Sequence, residues 1–339
     1  MKTLSFATFS FYGVNIQFKS NDEGLVGDIQ KDFSFFSAPI TDVQIAISAC
    51  HEVPPYQTLP SMCASYLSPR NVCYYHDRIK YIDYAGKGLA IYDGQKSICD
   101  IYSAHYDLLY EASYMAILSL VNEKLEKRRI HRVHALGLAT GGKAILVLLE
   151  MGGGKTTLAL SLLSSSEKIR LISEDSPLID PKGRILPFPI RIGVRPGEVP
   201  PEVPQEHTRC FKREEFGPKT LIDIDYFKNK ICKEPCLPKM IVIGKRVLGR
   251  LPEIRPVIKY EAVKEFVKNS VIGLGLYQGI EYILQKGPWE ILKKIPLGIS
   301  RLNNALKVIN KSETFVFYLG PDKEKNNLVL IDFLKKCEK

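Results

Sequence analysis

One short stretch of the chain constrains its fold more than any other. The apolar residues 144–149 lead into three consecutive glycines at 152–154, and Lys155, Thr156 and Thr157 follow directly. The apolar spacing of a helix comes next. A buried strand, a glycine turn and a helix in this order set bare backbone amides and a helix N-terminus opposite an anion. The sequence therefore predicts a phosphate-binding loop.

The loop departs from the common pattern G-x-x-x-x-G-K-[ST] at its first glycine position, which Leu149 occupies. Glu150 is a second departure, because a carboxylate that pointed into a phosphate site would repel the ligand. We expect that side chain to point away from the loop. A glycine-rich turn before an ordinary core helix is the alternative, but each glycine costs about 1 kcal/mol of chain entropy.

The polar residues around this loop have expected roles. Lys155 can reach the outer phosphates of a nucleotide, and the Thr156 hydroxyl can ligate Mg²⁺. Two arginines in the segment 189–196 are weaker candidates for contacts with nucleotide or acceptor. The expected nucleotide-binding residues are Gly152, Gly153, Gly154, Lys155, Thr156, Thr157, Arg191 and Arg195.

An acidic pair, Glu174 and Asp175, ends the strand pattern of residues 169–173. Mg²⁺ takes few carboxylates and keeps several waters, so one acid can bind metal while the other accepts a proton. Neighbouring residues of a strand point to opposite faces, so both acids can serve only if the strand ends there. A solvated acidic pair at a hairpin end is the alternative.

His134 is predicted to lie on a strand, residues 133–139, that pairs with the strand entering the loop. Gly141 and Gly142 form the turn of this hairpin. Antiparallel pairing beside the loop predicts a mixed sheet, unlike the parallel sheet of an ordinary doubly wound fold. A histidine held in the core or at the sheet edge is the alternative to a functional one.

The hydrophobic pattern divides the chain into a β-rich accessory or substrate domain (1–104), a linking helix (105–129) and a loop-bearing domain (130–339). Residues 51–69 are rich in proline and serine and predict a loop. The expected strands are 4–11, 13–18, 43–48, 79–84, 88–92, 240–243 and 314–319, and the expected helices are 23–35, 107–129, 261–268, 288–294, 299–309 and 322–336.

The net charge of +10 suits an anionic ligand such as a nucleotide or an acidic peptide. No basic run alternates with aromatic residues, which argues against nucleic acid, and no apolar stretch reaches the ~18 residues that span a bilayer. The eight scattered cysteines predict free thiols in a reducing cytoplasm. Cys232 and Cys236 have metal-ligand spacing, but no second Cys or His pair lies near them in the sequence.

Several segments resemble the kinase domain of HPr kinase/phosphorylase and its relatives. They are His134–Leu138, Gly142–Leu149, Gly152–Leu160, Leu171–Ser176 and the ending Thr314–Asp322. The run Gly-Lys-Thr-Thr-Leu is also similar to ATP-dependent phosphoenolpyruvate carboxykinase, which shares that catalytic fold. The similarity extends over residues 129–336.

The resemblance implies an α/β fold: a P-loop kinase domain with a mixed β-sheet, here preceded by a smaller β-rich α+β domain. It implies ATP and Mg²⁺, a histidine before the loop, and an acidic pair with one base and one acid near the metal. The family's usual Asp-Asp is Glu-Asp here. Its later glycine-rich motif for phosphorolysis and the carboxykinase's substrate-site residues are not found, so HPr and phosphorolysis are not expected.

We therefore expect a cytoplasmic, ATP- and Mg²⁺-dependent kinase whose acceptor is a hydroxyl, first of all serine in a peptide, a protein or free. Asp175, His134 and Lys155 are its catalytic candidates, and Thr156 and Glu174 its metal ligands. Two alternatives stay open: a non-catalytic nucleotide-binding or scaffold protein, and a carboxykinase-like phosphotransferase of small metabolites. The sequence leaves self-association open.

Overall fold

The computed structural model describes residues 4–68, 70–150, 152–212, 217–272 and 288–336. Two compact units make up the chain. The first contains the described residues of 1–125, 193–225 and 278–293, and the second those of 126–192, 226–277 and 294–339. Residues 193–225, which the hydrophobic pattern assigns to the loop-bearing domain, thus belong to the first unit.

Strands outnumber helices in the described part of the chain. The helices are α1 Glu23–Asp32, α2 Tyr106–Lys127, α3 Lys155–Ser165, α4 Lys259–Phe266 (continued by a π-helix, Val267–Ile272), α5 Pro288–Asn310 and α6 Lys323–Lys336. The strands of the first 130 residues are β1 Ser5–Phe11, β2 Val14–Ser20, β3 Ile45–His51, β4 Ala64–Leu67, β5 Val72–His76, β6 Ile79–Asp83, β7 Gly88–Asp93 and β8 Ile98–Ser103. The later strands are β9 His131–Arg132, β10 Leu136–Thr140, β11 Lys143–Leu148, β12 Arg170–Ser173, β13 Leu178–Ile179, β14 Ile185–Leu186, β15 Ile192–Val194, β16 Thr208–Phe211, β17 Lys219–Ile222, β18 Leu237–Arg246, β19 Glu253–Pro256 and β20 Glu313–Leu319.

The first unit contains an eight-stranded mixed sheet in the order β1-β2-β3-β8-β7-β6-β5-β4. Alternate residues of β1 and β2 are buried, and their phenylalanines Phe9, Phe11 and Phe18 are fully enclosed. The segment 51–69 is wrongly predicted as a loop, because β4 lies within it. All four residues of β4 are exposed, so this strand has none of the alternation that marks a half-buried strand.

A cluster of charges explains why residues 193–225 join the first unit. The Arg209 guanidinium lies 2.6 Å from Oδ1 of Asp32, 3.0 Å from Oδ1 of Asp223 and 3.1 Å from Oδ1 of Asp28. Tyr110 donates a further hydrogen bond of 2.7 Å to Asp32. Arg209 and Asp32 are 177 residues apart in the chain, so no local pattern could indicate this pairing.

The second unit is built on a six-stranded sheet in the order β12-β10-β11-β18-β20-β19. Strands β10 and β11 form an antiparallel hairpin, while β11, β18 and β20 run parallel. The predicted mixed sheet is thereby confirmed. The hairpin turn uses Gly141 and Gly142 at φ of +54° and +73°, a conformation that glycine adopts at little cost. The carboxyl ends of the three parallel strands meet at one edge of the sheet.

Two predicted details of this unit are wrong. His134 does not lie on the strand paired with β11; it lies in a bend between β9 and β10. The backbone amides of this bend do not pair with β11. His134 N–H donates to the Asn269 carbonyl, and Ala135 N–H donates to the Asp175 carbonyl. The two helices predicted around residues 288–309 are one helix, α5, which continues through Pro296, because a proline can kink a helix without ending it.

Nothing in the described ranges has the length and apolar character of a membrane-crossing helix. The cysteines of those ranges form no disulfide, as the scattered spacing predicts. Cys337 lies outside the described residues.

Candidate active site

The glycine loop, residues 149–154, joins the end of β11 to the start of α3; residue 151 lies outside the described residues. Leu149, which holds the position of the pattern's first glycine, is buried. Its side chain fills space that Gly244 of the neighbouring β18 leaves open, since a Cβ on Gly244 would lie 1.9 Å from Leu149 Cδ2. The departure from the pattern therefore has a packing reason: a side chain anchors the loop to the core.

Each of the three glycines meets a backbone requirement. Gly152 and Gly154 have φ of +71° and +94°, in the left-handed region that disfavours side chains. Gly153 donates to the Glu150 carbonyl at 2.9 Å, and a Cβ on it would lie 2.7 Å from that oxygen. Gly154 is the N-cap of α3, so the first amides of the helix have no partner inside the helix and point toward the loop.

Lys155 is 6% exposed, and its ammonium is held from several sides. It donates to the Leu149 carbonyl at 3.0 Å and to Nε2 of His134 at 2.8 Å. Because an ammonium can only donate, Nε2 accepts, and a neutral His134 carries its proton on Nδ1. That nitrogen lies 3.2 Å from Oδ1 of Asp175, without the alignment of a hydrogen bond.

Asp175 completes this cluster. Its Oδ1 lies 3.6 Å from the Lys155 ammonium, and its side chain is 38% exposed. Burial by itself would raise the pKa of the Asp175 carboxyl, but the contact with His134 and the positive charge of Lys155 outweigh that effect and lower the pKa. The cluster thus presents an ionised carboxylate to solvent at neutral pH, with its cation buried behind it.

Thr156 and Glu174 form a second pair beside the cluster. Strand β12 ends at Ser173, so Glu174 and Asp175 both leave the strand, and the Thr156 hydroxyl donates to Oε1 of Glu174. Two hard oxygen ligands side by side fit Mg²⁺, which takes its other ligands from water and phosphate. The described part of the chain has no group of three or more His, Cys, Asp or Glu side chains arranged for a metal.

Arg246 is a site residue that the sequence pattern does not single out. It ends β18, and its Nη2 donates to the Gly153 carbonyl at 3.1 Å. The carboxyl end of a strand parallel to the loop strand lies at the loop's edge of the sheet. Only knowledge that β18 pairs in parallel with β11 would have identified Arg246 as a residue near the loop.

A small recess lies against the loop. Its lining includes neither Lys155 nor the acidic pair Glu174 and Asp175. It is lined by Leu149, Gly153, Gly154, Thr157, Leu158, Arg246, Leu319, Lys323, Asn326 and Asn327.

Three further residues are predicted to contact the nucleotide: Thr157, Arg191 and Arg195. Thr157 is exposed in the first turn of α3. Arg191 immediately precedes β15 in the second unit, and Arg195 belongs to the first unit. The structure thus brings together the glycines, Lys155, Thr156, His134, Glu174 and Asp175, while nucleotide contacts by Arg191 and Arg195 stay predictions.

Comparisons with known proteins add little at this point. No family model matches the chain, and no curated protein matches it. Among solved structures, the Hpr(Ser) kinase/phosphatase from Coxiella burnetii resembles it with a TM-score of 0.28 and 10% sequence identity. That match covers 61% of this chain and 99% of the other.

Proposed function

We propose that the second unit is an ATP- and Mg²⁺-dependent kinase that transfers the γ-phosphoryl group to a hydroxyl. One observation carries the proposal. A buried lysine, a histidine, two carboxylates and a threonine hydroxyl converge where a glycine loop opens a helix. Phosphoryl transfer needs a phosphate cradle, a cation, metal ligands and a group that orients the acceptor. The site supplies a candidate for each.

Lys155 and the first amides of α3 are the proposed phosphate cradle. In the described structure the ammonium donates to the loop carbonyl of Leu149. To bind a phosphate it must exchange this neutral acceptor for a charged oxygen. Charge-assisted hydrogen bonds are roughly twice as strong as neutral ones, so the exchange favours the phosphate. Arg246 also has one donor close to the loop, and its guanidinium would add a second cation.

Asp175 is the proposed partner of the acceptor hydroxyl. Its carboxylate is the exposed member of the cluster, and its lowered pKa keeps it ionised and able to accept a hydrogen bond. A strong base is not required, because positioning and charge stabilisation dominate this class of reaction. His134 and Lys155, both buried behind Asp175, would hold the carboxylate in place while the proton passes from the hydroxyl to it.

Thr156 and Glu174 are the proposed metal ligands. Their oxygens already lie within hydrogen-bond distance, so both could ligate one ion while the hydroxyl keeps its proton and donates it to another acceptor. Held by these two residues, Mg²⁺ would supply positive charge close to the phosphoryl group that is transferred. Glu174 would then bind the ion while Asp175, the next residue, faces the acceptor.

Serine, in a peptide, a protein or free, is the proposed acceptor. This part of the proposal depends on the motifs shared with HPr kinase relatives, some of which act on serine. The first unit, with its separate eight-stranded sheet, is proposed to contribute to acceptor recognition. A cytoplasmic location is proposed on the basis of the thiols that no disulfide links.

Single-turnover transfer from γ-labelled ATP to a panel of serine peptides, proteins and free serine tests the reaction. Wild type should label at least one acceptor. Asp175→Asn should transfer at least about 10²-fold more slowly, while Asp77→Asn, at an exposed turn, should match wild type. Full activity in Asp175→Asn would remove the assigned role of that carboxylate.

A non-catalytic nucleotide-binding protein is the second candidate. The buried, internally bonded ammonium favours it, since its present hydrogen bonds must break before a triphosphate can bind to Lys155. Binding of ATP without labelling of any acceptor and without hydrolysis would establish this function instead.

A further inference from the structure

Two cysteines of the second unit face each other outside the kinase site. The Sγ atoms of Cys232 and Cys236 lie 3.3 Å apart. They flank an exposed turn of three residues just before β18. Three residues lie between them in the chain, but sequence spacing alone does not bring two sulfurs into contact.

The backbone on each side of this turn is held by other strands. Cys232 N–H donates to the Leu171 carbonyl of β12 at 2.8 Å. Cys236 exchanges both of its backbone hydrogen bonds with Ile185 of β14, each at 2.8 Å. The fold therefore places the two sulfurs together independently of any bond between them.

The two thiols differ in reach and acidity. Cys236 is 2% exposed and belongs to the core of the unit, whereas Cys232 is partly exposed. The hydrogen bond with Cys236 is the main cause that lowers the pKa of Cys232 to about 7, against the opposing effect of burial, and the same contact raises the pKa of Cys236. Cys232 is thus the thiolate that an outside reagent can reach.

We propose that Cys232 and Cys236 form a reversible internal disulfide by exchange with a low-molecular-weight disulfide. The Cys232 thiolate attacks one sulfur of the reagent, which forms a mixed disulfide and releases one thiolate. Cys236, on losing its proton, then attacks Sγ of Cys232 and releases the second thiolate. The reagent is reduced to two thiols, and the protein pair is oxidised by two electrons.

The geometry favours formation of the internal disulfide over persistence of the mixed disulfide. The sulfurs need to close only from 3.3 Å to about 2.05 Å for the internal bond. The turn between them is short and exposed, so it can absorb this movement without disturbing the pinned ends. A mixed disulfide on Cys232 would have the buried thiol of Cys236 next to it, which makes its resolution intramolecular and fast.

The test uses the full chain with Cys63→Ser and Cys210→Ser, which removes two exposed thiols. This protein is incubated with oxidised glutathione, blocked with iodoacetamide and mapped by mass spectrometry. We expect peptides 232 and 236 linked, with a mass lower by two hydrogens, and full reversal by dithiothreitol. Cys236→Ser should stop at a glutathione adduct on Cys232, and Cys232→Ser should yield neither product.

The pH dependence provides a second readout. Cys236→Ala removes the hydrogen-bond donor as well as the second thiol, so the midpoint of adduct formation on Cys232 should move up in this variant toward the ordinary value of about 8.5. In the protein with both cysteines, disulfide formation should have its midpoint near pH 7. A stable glutathione adduct on Cys232 with Cys236 still present, or no oxidation at either residue, would overturn the proposal.

Discussion

Each unit contains a largely enclosed cation beside carboxylates, and the two clusters differ in how completely their charges are paired. In the first unit, Arg209 contacts three carboxylates within 3.1 Å, and Asp32 is fully buried. In the second, Lys155 has a single carboxylate at 3.6 Å, and that carboxylate of Asp175 is 38% exposed. The first cluster is satisfied within the fold; the second leaves a charge open to a ligand.

This difference separates a structural cluster from a candidate functional one. The carboxylates around Arg209 raise its pKa although its partial burial opposes this. The charges of this cluster are paired with one another inside the unit. Lys155 instead donates hydrogen bonds to a loop carbonyl and a histidine, partners that a phosphate can replace. Perturbed, incompletely paired groups beside a loop are typical of binding sites.

Removing the cation of the first cluster should cause the greatest loss of stability. Arg209→Met leaves the fully buried Asp32 without its cation, which costs about 3–5 kcal/mol of unfolding free energy. Lys31→Met is the matched control, because Lys31 is 50% exposed and lies 3.9 Å from Asp223; it should change stability by less than about 0.5 kcal/mol. Urea unfolding measures both variants. Equal stabilities would show that the cluster around Arg209 is not structural.

The matching change in the second cluster should destabilise the protein less. Lys155→Met leaves the Leu149 carbonyl without its hydrogen-bond donor, whereas the partly exposed Asp175 carboxylate can be hydrated by solvent. We therefore expect the free energy of unfolding to fall by about 1–3 kcal/mol. The same urea experiment measures it. A loss as large as that of Arg209→Met would remove the contrast between the two clusters and favour a purely structural role for Lys155.

Gly244→Ala tests how the loop is anchored to the core. The new methyl would overlap Leu149 Cδ2, so we expect a destabilisation of about 1–3 kcal/mol and a weaker affinity for Mg·ATP as the loop shifts. Gly27→Ala is the control, since no atom lies within 4 Å of its added Cβ and it occupies α1. It should be neutral or stabilising. Unchanged stability in Gly244→Ala would disprove the anchoring by Leu149.

Arg246→Gln tests whether the charge of Arg246 contributes to nucleotide binding in addition to that of Lys155. A glutamine keeps a donor for the Gly153 carbonyl but carries no charge, so Mg·ATP affinity should fall about tenfold, or ~1.4 kcal/mol, while stability changes little. Titration calorimetry measures the affinity. An affinity equal to that of wild type would leave Arg246 as a structural support of the loop.

The smallest expected effect is the pH dependence of the stability that Asp175 contributes to the second cluster. The pKa of Asp175 is lower in the folded chain than its usual value, so its contribution to stability is complete above about pH 4 and is lost as pH falls through the folded pKa. The stability difference between wild type and Asp175→Asn should therefore be constant from pH 5 to 8 and shrink only below pH 4. A difference that changes between pH 5 and 7 would contradict the direction of the shift.

Local signals account for what the sequence predicts well. The glycine turn of β10 and β11, the loop glycines and the start of α3 each depend on neighbouring residues, and the acidic pair directly follows a short strand. These features need only periodicity and the special backbone freedom of glycine. The mixed sheet followed from the same hairpin.

Long-range contacts account for the rest. His134 leaves the predicted strand because its amide bonds to Asn269, and Arg246 reaches the loop only through the parallel pairing of β11 with β18. Arg209 finds its carboxylates across most of the chain. Leu149 in place of glycine is explained by a second glycine, Gly244, on another strand. No single-sequence pattern encodes such partners.

Calorimetric titration of Mg·ATP into wild type, Lys155→Met and Lys143→Met decides whether the glycine loop and its lysine bind a nucleotide. Lys143 is exposed at the far end of β11 from the loop and serves as the control. We predict saturable binding by wild type and Lys143→Met, and at least about tenfold weaker binding by Lys155→Met. No uptake by wild type at millimolar nucleotide, or equal affinity in Lys155→Met, would contradict nucleotide binding at this loop.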